Sequence, residues 1–162
     1  MFNNYIDPYQ SYDPNQKLYA ACGKYDDPCQ EYFQSLNRTR NPVIFTTDLS
    51  GMNEVPPNNS NASGKAISML SGNETSLDFI VQTAGLRNIT MAHFHDGKVG
   101  VNGPIVKTIQ INPVTGKAIG SWTNMDPEPL TPTLVNKLKR GDLYINIHTV
   151  QLPDGEIRGQ LH

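Results

Sequence analysis

A chain of 162 residues with a net charge of −2, 37% hydrophobic and 17% charged residues suits one domain plus an extension, and a domain near that size buries about 70% of the surface its unfolded form exposes. The charged fraction lies below the roughly 25% usual for soluble domains; Asn, Thr, Ser and Gly fill the gap, a surface suited to secreted proteins and packed assemblies. No basic patch with interleaved aromatics is present, which excludes nucleic-acid binding, and no apolar run approaches the length of a membrane span.

Residues 1–40 read as an arm. Met1 to Gln10 has neither a basic n-region nor an apolar h-region, so no signal peptide is read there. Six of the seven tyrosines fall in the arm, among turn-forming Asp-Pro pairs and with too few aliphatics to fold alone. Two readings follow: a loosely held tail, or an aromatic arm that packs on its own domain or on a second copy through Tyr5, Tyr9, Tyr12 and Tyr19. Cys22 and Cys29 have no zinc-ligand spacing. A disulfide closing a small loop is the leading reading, with free thiols and intermolecular pairing as alternatives.

Residues 41–162 read as β structure. Val43–Leu49, Gly64–Leu70, Ser76–Thr83, Ile89–His95, Ile105–Ile111, Ala118–Thr123, Leu143–Val150 and Glu156–Leu161 are the predicted strands. The third shows period-two alternation most cleanly. Leu152-Pro153-Asp154-Gly155 joins the last two, and Asp-Gly between apolar runs signals a hairpin. One helix is predicted, with Thr131 as N-cap, Pro132 at its first position, an apolar stripe of Leu134, Val135 and Leu138, and Gly141 as its stop. Many short strands and one helix predict an all-β fold, an antiparallel Greek-key-like β-sandwich.

Three of the four histidines lie in strands. His93 and His95 are two apart, so they share one face; His148 lies on the face that also carries Tyr144 and Asn146. If those faces meet, three imidazoles converge, a donor set for Cu or Zn, to which Asp96, Asp154 or Glu156 could add oxygen. The alternative is a hydrogen-bond network in which His93 and His95 bind backbone or Asn146 without any ion. Glu156 and Arg158 share a strand face, and Arg158 is expected to bridge a carboxylate such as Glu54 in bidentate geometry. No Gly-x-Ser-x-Gly elbow and no glycine-rich phosphate loop supports catalysis. Trp122 and the Asp96–Asn102 loop are the features a ligand-binding module would use.

From Phe45 onward the chain resembles the CHRD domain family. The matching residues are Leu49-Ser50-Gly51, Asn53-Glu54-Val55-Pro56-Pro57, Gly64, Leu86, Ala92-His93-Phe94-His95, Gly97, Asn102-Gly103-Pro104, Leu143 to Thr149, and Gly155-Glu156-Ile157-Arg158-Gly159. The resemblance implies a β-sandwich and an extracellular or surface setting, and it implies no reaction. The paired histidines and the late-strand histidine are also similar, locally, to the copper ligands of copper–zinc superoxide dismutases. The intervening segment has no histidine to serve as a bridging ligand, so dismutase activity is not expected.

These readings predict a non-enzymatic extracellular, cell-surface or spore-surface structural protein, self-associating through its arm and requiring no cofactor. Two alternatives stand beside it: a Cu- or Zn-binding protein using His93, His95 and His148, and a module that binds a surface protein or carbohydrate.

Overall fold

The computed structural model describes residues 42–162. The arm, the cysteines Cys22 and Cys29, and the self-association candidates Tyr5, Tyr9, Tyr12 and Tyr19 lie outside the described residues.

Eight strands follow one another: β1 (Val43–Ser50), β2 (Ser63–Leu70), β3 (Ser76–Ala84), β4 (Ile89–Asp96), β5 (Ile105–Thr108), β6 (Lys117–Thr123), β7 (Leu143–Thr149) and β8 (Ile157–Gln160). A 3₁₀ turn at Gly51–Asn53 follows β1, and the helix α1 (Pro132–Lys139) precedes β7. All pairings are antiparallel, in the order β5-β4-β7-β8-β1-β2-β3-β6. The sheet folds into two four-stranded halves, joined where Ser50 meets Arg158 and laced further by reciprocal backbone bonds between Thr46 and His162. The fold is the all-β, sandwich-like architecture expected from the strand pattern.

The inner faces meet in an apolar core. Phe94 of β4 lies edge-on to Phe79 of β3 at 5.2 Å and stacks on Trp122 of β6 at 5.4 Å. Leu49, Leu77, Ile145, Ile147 and Ile157 close round them. Helix α1 begins as its sequence dictates: the Thr131 side chain accepts from the Leu134 N–H, satisfying one of the donors every helix start leaves free. Its buried face is Val135 and Leu138.

Three local expectations are corrected in whole or in part. The fifth strand stops at Thr108 rather than Ile111, where the Glu128 carboxylate takes the Thr108 N–H and hydroxyl at 2.8 and 3.0 Å. The expected hairpin of β7 and β8 forms, with a connection that runs from Val150 to Glu156, longer than Leu152–Gly155. Trp122 is no ligand platform: it is fully buried, and its indole N–H donates to the Glu128 carbonyl at 2.7 Å.

Phe94→Ala is expected to cost about 3–5 kcal/mol through the cavity it leaves, read as a lower urea midpoint at unchanged slope. Val114→Ala, at a 91% exposed position, is expected to stay within about 0.5 kcal/mol of wild type.

Candidate functional site

The outer face of the β5-β4-β7-β8 half is polar yet buried. On β4, His93 lies opposite Asn146 and His95 opposite Tyr144 of β7; Asn146 in turn lies opposite Arg158 of β8. His93, His95, Tyr144, Asn146, His148 and Arg158 are all buried there. Buried polar groups need partners, and the connections that close over this face supply most of them.

The Pro153 carbonyl sits 2.8 Å from His148 Nδ1, and the Gly103 carbonyl 2.9 Å from His95 Nδ1. A carbonyl can only accept, so both imidazoles carry their proton on Nδ1 and keep the Nε2 lone pair free. His93 Nδ1 lies 3.2 Å from His148 Nε2, so without an ion His93 donates to that lone pair. His95 Nε2 has no hydrogen-bond partner although buried. Each of the three side chains has a ring nitrogen within 4.8 Å of the others', close enough for small ring rotations to bring them onto one ion. Desolvation pushes His93 down to about 4, with His148 and His95 adding to the effect. Desolvation likewise lowers His95, and the Arg158 and His148 charges act in the same direction. Both rings are therefore neutral at neutral pH, the state in which imidazole ligates metals.

The sequence anticipated the three-histidine cluster and the structure assembles it. The predicted oxygen ligands do not join it: among the described residues the group holds no carboxylate. Asp96 alternates to the face opposite His93 and His95 and pairs there with Lys137. Glu156 accepts from the hydroxyls of Ser60 and Thr149 at 2.7 and 2.6 Å. Of the partners the ion-free reading names, backbone or Asn146, His95 takes backbone, the Gly103 carbonyl, while His93 pairs with His148 and neither ring bonds to Asn146.

The expected Arg158–Glu54 bridge is absent. Arg158 donates instead to Asn102 Oδ1 at 3.0 Å and to the carbonyls of Lys98 and Val101 at 3.1 and 2.9 Å. Its guanidinium lies 3.5 Å from the centre of the Tyr144 ring, a cation–π contact, and His95 stacks on that ring at 4.7 Å. The rigid guanidinium is thus committed to the β4–β5 connection, and Glu54 feels its charge only through space. Glu54 accepts from Asn146 Nδ2 at 3.2 Å, while Glu54 Oε1 and Asn146 Oδ1 are buried without partners. Desolvation raises Glu54 to about 7, with the Arg158 charge and the Asn146 hydrogen bond opposing the rise.

Sequence reasoning missed the work of Gly103 and Gly155. A Cβ at Gly103 would stand 1.6 Å from the Asp96 carbonyl oxygen, so only glycine lets this connection lie close enough to present its own carbonyl to His95. A Cβ at Gly155 would meet Asn146 and Glu54 side-chain atoms at 2.6–2.7 Å, and its φ of +136° is one that other residues rarely adopt. The Asn102-Gly103-Pro104 and Gly155-Glu156 motifs were the available signal; which side chains they crowd was not in the sequence.

Residues 45–161 match the CHRD domain family, and the chain belongs to it. No curated protein and no solved structure matches the chain. Among the described residues no helix is long and apolar enough to cross a membrane.

Glu54 yields a pH prediction. Its folded pKa is raised, so its contribution to stability is present below the unfolded value of 4.5 and is lost as pH rises through about 7. Glu54→Gln removes that loss. Unfolding titrations from pH 4.5 to 8 are expected to show the variant gaining on wild type as pH rises, by on the order of 3 kcal/mol at most, one pKa unit being worth about 1.4 kcal/mol.

Proposed function

We propose that this CHRD-domain protein is a non-catalytic extracellular or cell-surface protein that holds one transition-metal ion, copper or zinc, between His93, His95 and His148. The observation that carries the reading is the unpartnered Nε2 of buried His95, beside two more imidazoles with ring nitrogens inside the same 4.8 Å. A buried lone pair with no donor costs about 1–3 kcal/mol, and a metal ion would remove that cost while using the neutral rings as they stand. The carbonyls of Gly103 and Pro153 orient two of the three donors from behind, the arrangement by which backbone oxygens ordinarily fix ligating histidines.

The CHRD domain is not a known enzyme family, and members are generally extracellular; those family properties support the setting and the absence of a reaction. Self-association through residues 1–40 is a separate proposal from the sequence alone. Deleting residues 1–40 is expected to lower the mass of the assembly by light scattering, and equal monomeric masses for both forms would end that idea.

For the metal site, the full-length apoprotein titrated calorimetrically with Zn²⁺ and Cu²⁺ is expected to take up one equivalent. At a free metal concentration one hundred times Kd, unfolding should become harder by about 2.7 kcal/mol. His95→Ala should abolish both effects. A wild-type protein that takes up neither ion would overturn the reading.

A further inference from the structure

The three imidazoles by themselves suit copper and zinc alike. Among the described residues no carboxylate or thiolate accompanies the three imidazoles, so every donor is neutral. The Arg158 guanidinium adds positive charge felt at His95, and the Glu128 carboxylate adds negative charge felt at His93.

A methionine stands next to the histidines on the ladder. The β4–β7 register sets Met91 directly opposite His148, and Met91 precedes His93 by two residues on the same strand. The ladder shifts between Ile89 and Met91. Ile89 and Ala92 are both buried in the core with two residues between them, so the bulge turns Thr90 and Met91 both outward, as bulges re-aim side chains. Met91 is 48% exposed, a large apolar side chain left out of the core beside a metal-competent cluster. Directly opposed residues of an antiparallel pair have Cβ atoms about 4.5–5.5 Å apart, and three rotatable bonds let a methionine sulfur sweep that distance.

We propose that the site selects copper(I), with the Met91 thioether joining His93, His95 and His148 as a fourth, soft donor. The inference rests on the metal-binding reading above. Thioethers favour Cu(I), whereas zinc is bound by thiolate, imidazole and carboxylate, so Met91 distinguishes the two ions where the histidines do not.

The test uses the full-length protein under anaerobic conditions, as wild type and as Met91→Leu, a swap of similar volume at a half-exposed position. Cu(I) affinity is measured by competition with a bicinchoninate chelator, and Zn²⁺ affinity by calorimetry. The variant should bind Cu(I) on the order of tenfold or more weakly with Zn²⁺ affinity unchanged, and the ¹³C-methyl resonance of Met91 should move when Cu(I) is added to wild type. Equal Cu(I) affinity with an unmoved Met91 methyl would overturn the thioether ligand and leave the three-histidine site standing. Equal losses for both ions would also overturn it, marking Met91 as packing. A wild type that binds neither ion would remove the site itself.

Discussion

Antiparallel pairing of β4 with β7 in a single register is the constraint on which the site depends. That register sets His95 across from Tyr144, His93 across from Asn146 and Met91 across from His148. Side chains alternate faces with a period of two, so a slip of one residue would turn the histidines into the core and expel Ala92 and Phe94. The apolar inner face resists that slip. Phe94 is held between Phe79 and Trp122, and Ile145 and Ile147 are fully buried beside it. The placement of three imidazoles on one side of the sheet is thus a consequence of hydrophobic packing on the other.

A polar sheet face that stays buried must be answered by whatever covers it. Here the covering connections answer with backbone carbonyls. Arg158 ties down the Gly97–Pro104 connection through Asn102 and the carbonyls of Lys98 and Val101, and the same connection presents the Gly103 carbonyl to His95. The connection after β7 does the equivalent for His148 with Pro153. Loop folding and imidazole tautomer are therefore one event: the hydrogen bonds that seat the loops are those that free the Nε2 lone pairs. Three of the buried polar atoms without partners, His95 Nε2, Glu54 Oε1 and Asn146 Oδ1, lie on this face or against it. An entirely structural network would be expected to satisfy such atoms.

Much of this was legible in advance where the signal was local. The strands follow from period-two alternation, and the helix from Thr131 and Pro132 at its start and Gly141 at its end. The three-histidine cluster was legible because His93 and His95 share a face by spacing alone, and because one strand carries Tyr144, Asn146 and His148 on its polar side. What failed was pairing at a distance. Arg158 was assigned to Glu54 because opposite charges attract; the structure commits it to carbonyls and Asn102, since a rigid guanidinium goes where several acceptors are already arranged. Trp122 looked like a surface aromatic and is a core residue, because β6 presents it to Phe94 across the sandwich. Asp96 and Glu156 looked like ligands and are satisfied by Lys137, Ser60 and Thr149.

By itself the sequence determined the all-β class, the family, and which residues share a strand face, because all three are carried by residue type and spacing along the chain. The tertiary structure decided which faces meet, which carbonyls reach the imidazoles, and that Met91 stands across from His148. Those relations depend on strand register, on one bulge and on loop closure. Each joins residues from about five to about sixty positions apart, and no local pattern of side chains encodes that geometry.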